Sequence, residues 1–173
     1  MDGYHLTRAQ LSALPDPETA HARRGAAFTF DGTSFLSLVQ LLRSPLTETT
    51  STIYAPSFSH ALKDPVENDI PILASTRILV FEGNYLSLDQ EPWSQAAALM
   101  DERWFVEVEF EAAARRLVPR HVKAGIARDE AHAEKRVWEN DMVNGREIVD
   151  RRLPVDEVIV SVEEEGWKEP GAS

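Results

Sequence analysis

The 173-residue chain contains no cysteine. Disulfides, cysteine nucleophiles and thiolate metal sites are thereby excluded, and an intracellular, cytoplasmic setting is the expectation. No apolar run approaches the roughly 20 residues that span a bilayer. No positively charged start leads into an apolar stretch, so neither a membrane partner nor a secretory signal is expected. Positive charge is scarce: 18 Lys and Arg stand against 29 Asp and Glu, a net charge of −11. That is the wrong sign for a surface that tracks nucleic-acid phosphates. No H-x-x-x-H pair marks a zinc site, and no G-x-S-x-G elbow marks a serine nucleophile. Also missing is G-x-x-x-x-G-K-[ST], the loop whose backbone amides cradle nucleotide phosphates.

What is present suits one globular domain with a sizeable core: 43% of residues are hydrophobic and 27% charged. Thr7 predicts a capped helix through Leu14, broken by Pro15 and Pro17. Residues 18–31 read as a loop. Asp31 or Thr33 caps a helix over 34–43, with Phe35, Leu38, Leu41 and Leu42 at helical spacing. After a Ser/Thr/Pro linker, Thr52-Ile53-Tyr54 reads as a short strand ended by Pro56, and residues 64–71 as a loop. The apolar run Arg77-Ile78-Leu79-Val80-Phe81 has the signature of a central parallel strand buried on both faces. A helix over 91–102, a strand over 104–108 and a helix over 111–123 kinked at Pro119 follow. Asp129 caps a further helix to about Asn144, and 157–162 forms a last strand. The acidic tail from Glu163 is expected to fray. Alternation of strands and helices argues for an α/β fold with a parallel sheet covered on both sides.

Two segments carry the chemistry. The chain opens Met1-Asp2-Gly3-Tyr4-His5-Leu6, and later runs Leu79-Val80-Phe81-Glu82-Gly83-Asn84-Tyr85-Leu86. In each, an acid followed by Gly stands where a strand delivers it to a sheet edge. Asp2 there suits a base that takes the proton of a hydroxyl attacking phosphorus, with His5 close enough to orient the substrate. Glu82, after a dry strand, suits a Mg²⁺ ligand, direct or through water; a cap on the next element is the alternative. No acid falls between Ala112 and Arg128, while Arg115, Arg116, Arg120, Lys123 and Arg128 all do. Such a segment suits a small, highly charged ligand and equally suits a solvated basic helix face. Arg116 and Arg120 are four apart and share a face if Pro119 permits. With Arg128 they could clamp a transferring phosphoryl group. His60, in Pro56-Ser57-Phe58-Ser59-His60, could bond a polar substrate, and Asn140 and Asn144 could contact a ligand or cap their helix.

In order, these stretches resemble the uridine kinase, phosphoribulokinase and bacterial-type pantothenate kinase group of P-loop kinases, nearest its fungal and bacterial nucleoside- or sugar-kinase-like members. The resemblance rests on Met1 to Leu6, Arg24-Gly25 with Phe30-Asp31, residues 56–60, residues 80–86, Arg116-Leu117 with Arg120-His121, Gly125, and Glu139-Asn140-Asp141 with Asn144. It implies a P-loop NTPase-like three-layer parallel sheet with a helical lid, lacking the first strand, P-loop and first helix. Residues 1–168 form that incomplete domain, with the lid at about 112–144 and a tail at 169–173. It implies ATP as co-substrate, Mg²⁺, and phosphoryl transfer to a hydroxyl of a small molecule (a nucleoside, a sugar or a pantothenate-like compound). Asp2, Arg116 and Arg120 take catalytic roles, His5, His60, Asn140 and Asn144 contact the substrate, Arg128 belongs to the nucleotide lid, and Glu82 holds the metal. Without the phosphate loop, these residues alone are expected to bind ATP poorly and to be inactive. The alternative is a non-catalytic binding or regulatory chain. A homo-oligomer or a sheet-completing partner is expected for the exposed apolar edge.

Overall fold

In the computed structural model, residues 1–47 and 49–162 are described. The expected frayed tail lies outside them. The helix starts follow from side-chain caps. Thr7 accepts from the Gln10 amide at 3.1 Å while Gln10 Oε1 accepts from the Thr7 amide at 2.8 Å, a reciprocal box that starts α1 (Arg8–Ser12). Asp16 accepts from the Thr19 amide and starts α2 (Pro17–Ala22), inside the stretch expected to be loop. Pro17 begins this helix because the first helical position needs no N–H donor. Asp31 starts α3 (Gly32–Leu42), as expected, through the Ser34 amide at 2.9 Å.

An antiparallel hairpin follows, β1 (Ile53–Ser59) with β2 (Asp64–Ile72). It departs from the expected short strand and loop. Pro56, Pro65 and Pro71 all lie in it, and such a ribbon tolerates proline because one edge of each strand needs no donor. At Pro56 the register breaks: Ala55 pairs with Ile70 but Ser57 pairs with Val66. Pro56 offers no N–H, so Glu67, Asn68 and Asp69 bulge out opposite it. The bulge is held by the Ser57 hydroxyl, which donates to Asp69 Oδ2 at 2.5 Å. Asn68 takes φ 53°, a left-handed conformation that Asn tolerates better than most residues.

Residues 77–81, expected as a central parallel strand, carry no regular secondary structure and pair with no strand among the described residues. Ile78 and Val80 are 82% and 87% exposed. The apolar pattern is that of a buried strand, but a strand needs a hydrogen-bonded neighbour, and none of the described residues supplies one. The parallel sheet is therefore smaller than expected, a pair of β3 (Trp104–Glu107) and β4 (Glu157–Val160) in register Trp104 with Glu157 to Glu107 with Val160. Between them lie α5 (Phe110–Lys123), unbroken through Pro119, α6 (Glu130–Arg136, capped by Asp129), a π-helical turn (Val137–Asp141) and α7 (Met142–Asp150). The helix expected over 91–102 is shorter, α4 (Trp93–Ala97).

The main core is aromatic. Tyr4, Phe30, Phe35, Tyr85 and Trp93 are buried together, joined by Val39 of α3 and Ala96 of α4. Their rings meet at 5.3–6.3 Å, mostly edge to face. Phe35, 1% exposed, contributes about 2–3 kcal/mol by burial alone. Ala114, Val137 and Met142 form a second core among α5, the π-turn and α7, flanked by Phe110, Leu117 and Val118. No helix among the described residues is long and apolar enough to cross a membrane.

Candidate functional site

The opening segment folds as one 3₁₀ turn, Asp2–Tyr4, laid across the hairpin. Gly3 makes that approach possible. A Cβ there would stand 2.1 Å from the Pro56 carbonyl oxygen, so only glycine lets the turn reach β1 at its bulge. A cavity of about 810 Å³ opens beside this contact, between the turn, α3, the hairpin and residues 44–46 and 50–52. Tyr4, His5, Asp31, Tyr54, Glu67 and Asn68 are among its lining residues.

His5 is fixed in both orientation and tautomer. Its Nδ1 lies 2.8 Å from the Asp2 carbonyl oxygen. A carbonyl only accepts, so Nδ1 carries the proton and Nε2 is the acceptor in the neutral ring. Phe30 and Phe58 pack against the imidazole with centroids at 4.0 and 5.1 Å. Burial pushes its pKa below the ordinary 6.5, outweighing the opposite pull of Asp2. Burial, with Glu67 and Asp31 close by, also pushes the Tyr4 hydroxyl up to about 12. At neutral pH the pair is thus an uncharged acceptor and an uncharged donor.

Arg24 locks this arrangement. Its guanidinium donates to the Leu6 carbonyl at 2.9 Å, the Lys63 carbonyl at 2.7 Å and Asp64 Oδ1 at 3.0 Å, and lies 5.6 Å from the Phe58 ring centroid. Asp64 also accepts from the Arg8 amide at 2.8 Å. Burial opposes ionisation of Asp64, but the bonds from Arg8 and Arg24 prevail and hold its pKa below the usual carboxylate value. The opening segment, α1 and the hairpin turn are joined through these two side chains.

The structure brings some of the expected site residues together and separates others. The segments carrying Asp2 and Glu82 meet through Met1, whose amino group donates to the Glu82 carbonyl and whose side chain packs against Gly83. Asp2 lies in a 3₁₀ turn and Glu82 in irregular chain, so neither acid ends a strand as expected. Both acids are exposed and neither is ion-paired among the described residues. His60 lies on the exposed hairpin turn, edge-on to Phe58 at 5.4 Å, outside the cavity. Asn140 and Asn144 are buried elsewhere: Arg23 Nε donates to Asn140 Oδ1 at 2.9 Å and Arg23 Nη2 to Asn144 Oδ1 at 2.7 Å. Beside them His121 Nε2 meets Asp141 Oδ2 at 2.6 Å, tying α5 to the π-turn. Arg116 donates to the Ser161 hydroxyl at 2.9 Å, Arg120 is exposed, and Arg128 lies 3.3 Å from Asp129.

Sequence reasoning passed over Tyr4, Glu67 and Asn68, and left Arg23 and Arg24 without roles. The signal for the bulge was Pro56 inside a β-rich run, since proline within a strand marks an edge or a bulge. Among the described residues, no group of three or more His, Asp or Glu could hold a metal ion by itself.

No family model matches the chain. Its relatives are informative. It is 56% identical over 169 residues to the ATP-dependent kinase-like protein notR' of Aspergillus versicolor, covering 98% of this chain and 96% of that protein. It is 44% identical over 144 residues to a Schizosaccharomyces pombe protein provisionally named a uridine kinase, of which it covers 60%. It is 31% identical over 188 residues to the ATP-dependent kinase YFH7 of Saccharomyces cerevisiae, of which it covers 53%. Two solved structures superpose well. One is YFH7, provisionally described as a P-loop-containing kinase with a circular permutation, at TM-score 0.81 and 32% identity, matching 95% of this chain and 57% of that one. The other is a protein of Silicibacter sp. TM1040 provisionally named a fructose transport system kinase, at TM-score 0.78 and 30% identity, matching 91% and 71%. The chain thus spans nearly all of the Aspergillus relative but only 53% of YFH7. The architecture is α/β of the P-loop NTPase type.

Proposed function

The chain belongs to the P-loop kinase family, and we propose that it forms the acceptor-binding and lid portion of an enzyme transferring phosphoryl from ATP to a small-molecule hydroxyl. The observation that carries this reading is the 810 Å³ cavity lined by Gly3, Tyr4 and His5, which follow Asp2 in the opening turn, a size usual for small-molecule sites. His5 Nε2 accepts from a neighbouring hydroxyl of the acceptor and orients it, while Asp2 takes the proton of the attacking hydroxyl as its oxygen attacks phosphorus. Arg116, Arg120 and Arg128, on and just beyond the surface of α5, close over the phosphates and offset their charge.

Mg²⁺ fits this site only together with a triphosphate. Glu82 and Asp2 offer exposed carboxylates on segments joined through Met1, and Mg²⁺ is commonly held by one or two carboxylates with phosphate oxygens and waters completing its shell. Held there, the ion would offset the negative charge of the phosphates. The 173 residues contain no G-x-x-x-x-G-K-[ST], so turnover is assigned to an assembly in which such a loop is joined to these residues. Calorimetry on this chain tests the reading: an acceptor binds while Mg²⁺-ATP binds only weakly. Micromolar binding of Mg²⁺-ATP, with no acceptor bound, would contradict it.

A second reading, a non-catalytic chain that completes its sheet with a partner, draws support from the exposed Ile78 and Val80 and from Trp104, Val106, Ile159 and Val160 on the parallel pair. Light scattering separates the two, since a stably folded monomer counts against dependence on a partner.

A further inference from the structure

The cavity is unusual in its charge. Of its described lining residues, Asp31 and Glu67 carry formal charge, and neither Lys nor Arg appears. Asp31 is already engaged: Ser34 donates to both its oxygens, from the amide at 2.9 Å and the hydroxyl at 2.7 Å. Arg24 is committed to Asp64 and two carbonyls, so it does not neutralise the cavity. Glu67 is different. It is exposed, lines the cavity, is close enough to act on Tyr4, and enters no ion pair or hydrogen bond among the described residues. Its neighbour Asn68 takes φ 53° in the bulge opposite Pro56 and also lines the cavity. Bulges commonly re-aim side chains beside binding sites, and this one turns an acid and an amide to the cavity.

Resting on the reading of this cavity as the acceptor site, we propose that the Glu67–Asn68 bulge selects the acceptor, and that it selects an uncharged polyhydroxylated molecule over one carrying a carboxylate or phosphate. A free carboxylate accepts two hydroxyl hydrogens at once, which matches a pair of adjacent hydroxyls. The same carboxylate, with Asp31 also lining the cavity and no Lys or Arg among its described lining residues, repels an anion. The Tyr4 hydroxyl, also lining the cavity, donates and His5 Nε2 accepts. The site thus offers a neutral polyol both donors and acceptors and offers an anionic group no counter-charge.

Matched pairs test this on the full chain by calorimetry: pantothenol against pantothenate, and ribose against ribose 5-phosphate. The neutral member is expected to bind about tenfold more tightly, about 1.4 kcal/mol. Glu67→Gln should weaken the neutral member and remove most of that preference, with the melting temperature unchanged because Glu67 is exposed. Glu67→Asp, which keeps the charge and shortens the reach, should lose polyol affinity while still rejecting the anion. An anionic member bound as well as its neutral partner, with His5→Asn abolishing both, would overturn the charge selection and leave the acceptor site standing. A neutral preference untouched by Glu67→Gln would overturn the role of Glu67. Binding of no member of either pair would overturn the acceptor reading itself.

Discussion

Replacing Gly3 by alanine tests how the cavity is built. The added Cβ would lie 2.1 Å from the Pro56 carbonyl oxygen, 2.5 Å from its carbon and 3.1 Å from the Ser57 nitrogen. All three are backbone atoms within a paired strand, so none swings aside as a side-chain tip does. Relief requires the turn and β1 to separate by about 1 Å, which costs about 1–3 kcal/mol as overpacking. Alanine also restricts the unfolded chain, returning about 0.4–1 kcal/mol. A net loss of about 1 kcal/mol is expected, or about 2–4 °C in melting temperature for a chain of this size. Gly25→Ala is the control: its Cβ meets nothing within 4 Å but its φ is 113°, so it pays conformational strain without a clash, about 1 kcal/mol. Circular dichroism melts would measure both, and calorimetry the acceptor affinity, which Gly3→Ala should lower and Gly25→Ala should leave alone. A Gly3→Ala protein as stable as the parent, with unchanged affinity, would refute the reasoning that this contact shapes the cavity.

Further expectations follow from the same geometry. Arg24→Ala leaves two carbonyls without this donor and Asp64 with Arg8 alone, and should cost about 2–4 kcal/mol by urea denaturation, with Arg24→Lys recovering only part because a single ammonium cannot span three acceptors. The depressed pKa of His5 means the unfolded chain binds its proton first. Its contribution is therefore full above pH 6.5 and is lost as pH falls through that value towards the folded pKa, and the difference in stability between parent and His5→Asn should shrink over that window. Tyr85→Phe removes the hydroxyl that donates to the Gly25 carbonyl at 2.6 Å and should cost about 1–2 kcal/mol in thermal melts. A double-mutant cycle on Arg23→Ala and Asn144→Ala should give a coupling of about 0.5–3 kcal/mol; additivity would show that Asn144 is not held by Arg23.

The caps were legible. Thr7, Asp31 and Asp129 each start the helix that their sequence context announces, because a cap is a local interaction between neighbours. So were β3 and β4, from their apolar composition. Proline misled in both directions. Pro17 reads as a breaker yet begins α2, and Pro56, Pro65 and Pro71 read as loop yet lie in a hairpin whose pairing is invisible to local pattern. Residues 77–81 show the converse: their composition announces a buried strand, but burial depends on neighbours that a local pattern does not contain. At the site, Asp2 and His5 stood out because an acid and an imidazole frame a glycine. Glu67 did not, since an acid in a proline-rich stretch looks solvated until the register shift opposite Pro56 puts it at a cavity. Asn140 and Asn144 looked open to ligand, and only the fold brings Arg23, more than a hundred residues earlier, onto their oxygens.

The central claim is that the cavity between the Asp2–Tyr4 turn and the hairpin receives the acceptor. Nitrogen-15 NMR titration of the chain with a neutral polyol tests it most directly. The account predicts that amide shifts concentrate at Tyr4, His5, Glu67 and Asn68 and saturate with a single binding curve. Shifts concentrated instead around Arg23, Asn140 and Asn144, with the cavity residues unmoved, would contradict it.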